Sequence, residues 1–136
     1  MKIAKVHAAL KARGVELGGS ATSDSLGEFE AQLGLRLDSE VRRLYLCFDG
    51  FLSYDHRSQL VLWPLHRIVQ NQRLSYVIES QRWFAIADFL IDSDFMMCCP
   101  TNASAPVFLL YEGRELASSV SDFLDKLVSG EFDFLN

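Results

Sequence analysis

One stretch in the first half of the chain constrains the fold more than any other. It runs from Phe29 to Phe51 and reads FEAQLGLRLDSEVRRLYLCFDGF. Apolar residues recur at helical spacing on both sides of Gly34, and the second run ends in an Asp-Gly pair. This pattern predicts two amphipathic helices with a glycine break between them and a turn after the second.

The rest of the chain alternates predicted elements around this unit. The spacing of apolar residues and the capping residues predict helices over about 3–14, 22–34, 38–48, 65–71 and 119–130, with an extension of the fourth as far as Gln81 as the alternative. Short β-branched or aromatic runs predict strands over about 59–63, 83–87, 95–99 and 107–111. Helices followed by strands and then a helix are typical of an α+β domain, in which helices pack on a sheet.

Length and composition predict a single domain over residues 1–136. A chain of 136 residues with 49% apolar and 23% charged residues has ordinary globular composition and needs no disulfide or metal to fold. Cys47, Cys98 and Cys99 are odd in number and imply no disulfide framework. No apolar run reaches the length of a signal peptide or a membrane span, so we expect a cytoplasmic protein.

The charge is unevenly spread along the chain. Residues 1–86 carry eleven Lys and Arg against nine Asp and Glu, a balance of +2, whereas residues 87–136 carry two against nine, a balance of −7. An acidic final third repels phosphate backbones, so we expect no direct nucleic-acid binding, and it attracts a basic partner at long range. The alternative is that this charge serves only to keep the protein soluble.

Motifs for catalysis or metal binding are not found. His7, His56 and His66 are far apart in sequence, and no nucleophile elbow or phosphate-binding glycine loop occurs. The run from Asp88 to Asp94 faintly resembles the start of a calcium loop, but the glycine and the distant glutamate of that motif are missing, which favours a solvated turn. The sequence therefore predicts no enzymatic activity, no metal and no cofactor.

Glu30 departs from its local pattern, because it lies at the margin of the apolar face of the second predicted helix. Burying a carboxylate without partners is costly, so it must reach solvent or accept hydrogen bonds. We expect it to accept backbone N–H groups or to pair with an arginine near the following turn. A role in binding is the alternative.

The order of these signals resembles the SUKH superfamily, also called the Smi/Knr family after its fungal cell-wall regulators. The resemblance covers roughly residues 22–129 as a dispersed pattern. The residues that carry it in the first half are Phe29, Glu30, Leu33, Gly34, Leu37, Leu44, Tyr45, Asp49, Gly50 and Trp63. The later part adds the runs 62–65 and 83–88, Pro106-Val107 and the closing helix. Asp38 stands where the family usually has proline, and Asp49 where it usually has asparagine; both residues suit the same local structure.

The resemblance implies an α+β fold with a central mixed or antiparallel sheet, helices packed on it, and no enzymatic activity. Bacterial members of the superfamily are mostly immunity proteins that neutralise a cognate polymorphic toxin, often a nuclease, and fungal relatives are protein-interaction hubs. The resemblance therefore implies a protein-binding domain, either an immunity protein or a regulatory or scaffolding module.

The acidic final third supplies the predicted binding residues. A nuclease active site is basic because it binds phosphates, and an acidic face can mimic its substrate and accelerate association. We therefore expect partner-binding residues among the carboxylates that follow the third and fourth predicted strands. These are Asp88, Asp92, Asp94, Glu112 and Glu115.

Overall fold

The computed structural model describes residues 2–90 and 93–133. Within these ranges the chain forms every helix and strand that the sequence predicts, in that order, together with two further short strands. The helices are α1 (Ile3–Ala12), α2 (Ser23–Leu33), α3 (Ser39–Cys47), α4 (Leu65–Gln70) and α5 (Val120–Ser129). The strands are β1 (Leu60–Leu62), β2 (Ser75–Ile78), β3 (Gln81–Phe89), β4 (Asp94–Cys98), β5 (Val107–Leu109) and β6 (Glu115–Ala117).

The six strands form one antiparallel sheet around the long strand β3. The order is β1-β3-β4-β5-β6, and β2 also pairs with β3, on the half that β1 leaves free. A bulge between Ala85 and Ala87 shifts the register against β4. Bulges bend a strand and increase its twist, which suits a sheet that must curve around its helices.

The helices begin and end where the sequence provides caps. The Thr22 hydroxyl accepts the Ser25 N–H at the start of α2, and Gly34 ends this helix with a φ of +64°. The Asp38 carboxylate accepts the Glu40 N–H at the start of α3. The Thr22 and Asp38 side chains each accept from a backbone N–H that the helix itself leaves unpaired, and the Gly34 N–H donates to the Glu30 carbonyl.

The core joins all five helices to the sheet. Its largest fully buried side chains include Trp63, Phe48, Phe84 and Phe123. Cys98 and Cys99 are buried within it as free thiols, and burial raises the pKa of Cys98. The α+β fold with an antiparallel sheet and packed N- and C-terminal helices is therefore confirmed.

Two short strands were missed by the sequence analysis. The fourth helix ends at Gln70, and β2 lies where its extension to Gln81 was the alternative, so that extension is wrong. A strand of four residues beside a helix carries too little periodicity to be told from it. β6 has only three residues, two of them buried, and its edge position depends on pairing with β5.

Candidate protein-binding surface

The helical part of the family pattern supports the fold. Glu30 Oε2 accepts the Leu37 N–H at 2.8 Å, and Oε1 accepts from Arg42 Nη1 at 2.8 Å. The hydrogen bond from Leu37, together with Arg42, lowers the pKa of Glu30. This is the structural role that the sequence predicted, and it ties the end of α2 to α3. The contacts of Phe29, Leu33 and Leu37 are equally internal, since all three are buried.

Tyr45 and Gly50 fasten the helices to the chain that follows β1. The buried Tyr45 hydroxyl donates to the Trp63 carbonyl at 2.8 Å. Gly50 has a φ of +75°, and a Cβ at this position would lie 2.4 Å from Pro64 N. Only glycine fits such a backbone conformation and such a close approach of two chain segments.

Trp63 connects this junction to the sheet through Asp88. Its Nε1 donates to Asp88 Oδ2 at 2.7 Å, and the Arg67 guanidinium lies 4.4 Å from the centre of its indole ring. Arg67 Nη2 also pairs with Asp88 Oδ2 at 3.1 Å. Asp88 therefore satisfies a buried donor and a cation at once, which compensates for the cost of burying its charge.

Asp94 has a similar role on the neighbouring strand, at the same end of the β3–β4 pair. Its Oδ1 accepts the N–H groups of Phe95 and Tyr111 at 2.7 and 2.9 Å, and its Oδ2 accepts the Glu112 N–H at 3.1 Å. Hydrogen bonds to a carboxylate are stronger than those between neutral groups, and Asp94 accepts three of them. They hold the turn between β5 and β6 in place.

The predicted acidic set divides into two groups. Asp88 and Asp94 are only 3% and 7% exposed, so the prediction of a solvated turn at this point is wrong for both. Both lie on strands of the sheet, at positions where backbone and side-chain donors surround them. Asp92 lies outside the described residues. Glu112 and Glu115 are exposed.

One exposed and one half-buried aromatic residue accompany the two exposed glutamates. Phe108 is the cross-strand partner of Glu115, and cross-strand partners lie on the same face of a sheet. The Phe108 ring packs on Trp83 at 5.4 Å, and Tyr111, which is 66% exposed, packs on Phe95 at 5.7 Å. We call the set Phe108, Tyr111, Glu112 and Glu115 the hairpin surface.

The hairpin surface has the features of a small protein-binding site. Its rings provide apolar area, Glu115 lies across the strand pair from Phe108, and Arg114 Nε lies 3.4 Å from Glu112 Oε1 as a partial counter-charge. Beneath it, the buried Trp83 Nε1 has no hydrogen-bond partner among the described residues. Buried donors are nearly always paired, so this group is unusual in the described part of the chain.

Other chemistry has little support in the described part of the chain. No group of three or more His, Cys, Asp or Glu side chains within it could hold a metal ion. His7 packs against Phe48, and His56 against Tyr54, both away from Glu30. In residues 2–90 and 93–133, no helix has both the length and the apolar character needed to cross a bilayer.

Sequence reasoning missed the aromatic half of the hairpin surface. Phe108 and Tyr111 lie in a run that is apolar at every position, which favoured a strand covered on both faces. The structure covers only one face well, since Phe108 is half-buried and Tyr111 exposed. The available signal was Glu115, which follows the run closely and places a charge on one side of it.

Comparison with known proteins identifies a family. The sequence pattern of the SMI1 / KNR4 family (SUKH-1) matches residues 20–126, which is most of the chain. The match includes every residue of the hairpin surface and every residue of the junction around Trp63. No curated protein matches the sequence significantly.

Proposed function

Because the chain belongs to the SMI1 / KNR4 family (SUKH-1), we propose that it is a non-enzymatic, cytoplasmic immunity protein that binds and neutralises a cognate toxin. The observation that carries this proposal is the hairpin surface. It places the exposed Tyr111 ring and the half-buried Phe108 ring beside two exposed carboxylates. Protein interfaces commonly combine an aromatic centre with a charged margin.

Asp94 supports the proposal because it makes this surface rigid. Its carboxylate accepts the N–H groups of Tyr111 and Glu112, so two exposed residues of this surface are held by a buried side chain. A surface that is already ordered loses less conformational entropy when a partner binds. Asp88 has no direct role in contact with the partner under this proposal, and Asp94 acts as a positioning residue.

The charge balance indicates the kind of partner. The final third of the chain carries nine acidic and two basic residues, and its exposed members include Glu112, Glu115 and Glu131. Such a field attracts a basic surface and increases the rate of encounter with it. A nuclease toxin fits, because the site that binds its substrate's phosphates is basic.

We expect the gene immediately upstream to encode the toxin domain, and the test is association with that domain. The double variant Glu112→Lys/Glu115→Lys should associate about tenfold more slowly than the wild type, and its rate should depend less on salt. The matched control is Glu16→Lys/Glu28→Lys, which changes the net charge equally at exposed positions away from the hairpin surface. Its rate should fall much less.

Two results would contradict the proposal at different levels. Equal slowing in both double variants would show that only net charge matters and that the hairpin surface is not the binding site. Absence of any complex with the toxin domain would contradict the immunity role. The regulatory or scaffolding role would then be the remaining assignment within the family.

A further inference from the structure

Strand β2 is an exposed, apolar edge of the sheet. Tyr76, Val77 and Ile78 are 44%, 71% and 48% exposed, and β2 pairs with β3 alone within the described part of the chain. Proteins usually protect such edges with proline, lysine, a bulge or a covering segment. The β2 sequence SYVI has neither proline nor charge, and its register with β3 is regular.

The turn after β2 shows which backbone groups point outward. Glu79 and Ser80 both have positive φ values, +51° and +67°, as in the two-residue type I′ hairpin turn. In such a hairpin the flanking pair, Ile78 and Gln81, exchanges hydrogen bonds, and hydrogen-bonded pairs alternate from there. The N–H and C=O groups of Val77, and the C=O of Ser75, therefore point away from β3.

Opposite charges flank the strand at equal distances. Arg73 lies three residues before Tyr76 and Glu79 three residues after it, and both are exposed. Neither forms an ion pair within residues 2–90 and 93–133. In an antiparallel pair of identical strands, the beginning of one strand lies beside the end of the other. Each Arg73 would then lie beside Glu79 of the second copy.

We propose that β2 pairs antiparallel with β2 of a second copy of this chain, in the register centred on Tyr76. Val77 N–H then donates to the Ser75 carbonyl of the copy, and the reciprocal bond forms by symmetry. Ser75 N–H stays bonded to the Gln72 carbonyl, so the pairing adds two backbone hydrogen bonds. Tyr76 meets Tyr76 of the copy as a close, non-hydrogen-bonded aromatic pair.

The charges select the second copy as the occupant, because a strand that is positive at one end and negative at the other is complementary to itself. The small contact gives a weak, concentration-dependent dimer. The inference is independent of the proposed toxin binding. Tyr76 lies on the same face as its cross-strand partner Trp83, and hence on the side of Phe108. The two-fold axis therefore leaves both hairpin surfaces on one side of the joined sheet.

Cysteine cross-linking tests the register directly. In a Cys47→Ser background, Tyr76→Cys should form an intermolecular disulfide readily under oxidised glutathione. The Cα atoms of a non-hydrogen-bonded pair are about 4.5 Å apart, within the range of a disulfide. The matched variant Val77→Cys lies about 8 Å from its own copy, by strand spacing and rise, and should cross-link poorly although Val77 is more exposed.

A charge swap provides a second test that does not need cysteine. Arg73→Glu or Glu79→Arg alone places like charges together twice per dimer and should weaken dimerisation about tenfold. The double variant Arg73→Glu/Glu79→Arg restores both pairs and should recover the wild-type dissociation constant. Sedimentation over a wide concentration range gives the constants, and circular dichroism shows that each variant is folded.

Three results would overturn the proposal. The first is a wild-type chain that stays monomeric up to about 1 mM, a concentration at which even a contact of about 4 kcal/mol is half formed. The second is equal cross-linking of Tyr76→Cys and Val77→Cys. The third is a dimer that neither charge reversal weakens, since such a dimer must use another surface.

Discussion

The two ends of the sheet differ in how their charges are arranged. At the β2 edge, one arginine and one glutamate flank an uncharged apolar strand. At the β5–β6 end, two glutamates accompany the exposed Tyr111 and the half-buried Phe108, and the nearby Arg114 offsets only part of their charge. The first arrangement complements itself under two-fold symmetry. The second repels its own copy and favours a basic partner.

This difference indicates that exposure of apolar side chains alone does not identify a partner. Both ends expose tyrosine, and both lie on the same face of the sheet. Under the two proposals, it is the charges around the rings that favour a second copy of the chain at one end and a different protein at the other. The support beneath each end also differs, since Asp94 holds the β5–β6 turn whereas β2 is held by its pairing with β3.

The largest expected effect comes from breaking the close contact between Gly50 and Pro64. Gly50→Ala would force a Cβ to within 2.4 Å of Pro64 N at a φ of +75°, and we expect it to lower the free energy of unfolding by about 3 kcal/mol or more. The control Gly14→Ala also has positive φ, but no atom lies within 4 Å of the added Cβ. It should cost about 1 kcal/mol. Urea denaturation of both variants measures the difference, and equal losses would contradict the close approach at Gly50.

A change at Asp94 should weaken toxin binding at the hairpin surface and leave dimerisation through β2 unchanged. Asp94→Ala leaves the N–H groups of Phe95, Tyr111 and Glu112 without their acceptor, and we expect a loss of about 3 kcal/mol of stability. Toxin association should fall by more than in the control Asp94→Asn, which keeps one acceptor oxygen. Dimerisation through β2 should be unchanged as long as the variant is folded. Loss of dimerisation in a folded Asp94→Ala variant would show that the two ends are coupled.

Glu30 lies outside both proposed binding surfaces, so its substitution should change stability without a direct effect on either partner. Its pKa lies below the ordinary value of 4.5, so its contribution to stability is complete above that value and is lost as the pH falls through the lowered folded pKa. Glu30→Gln should cost about 1 kcal/mol at neutral pH and little in strong acid. Thermal unfolding between about pH 7 and pH 2 measures this. A constant difference between variant and wild type across the range would contradict a charge-dependent role.

The smallest stability effect should come from the β2 edge. Val77 is 71% exposed, so Val77→Lys should change the free energy of unfolding by no more than about 0.5 kcal/mol. It should nevertheless abolish dimerisation, because it places two ammonium groups within the small contact. A stability loss well above this estimate would show that Val77 packs within its own chain.

The helices and their caps could be predicted from the sequence because their signals are local. Thr22, Gly34 and Asp38 act at the predicted boundaries, and Glu30 has the predicted partners. The burial of Asp88 and Asp94 could not be predicted, because burial of a carboxylate depends on donors distant in sequence. Asp88 is bonded to Trp63 and Asp94 to Tyr111 and Glu112. The edge strand β2 was missed because its four residues are stabilised by pairing with β3 rather than by a pattern of their own.

The most direct test of separate partners at the two ends of the sheet compares one variant at each end in a single assay. Cells that produce the toxin domain expected from the upstream gene are given the wild type, Glu112→Lys/Glu115→Lys or Val77→Lys, each at equal soluble level, and survival is measured. We predict that the hairpin variant loses protection, whereas the Val77→Lys variant protects as a monomer. Protection by the hairpin variant together with its loss in Val77→Lys would contradict the assignment of separate partners to the two ends.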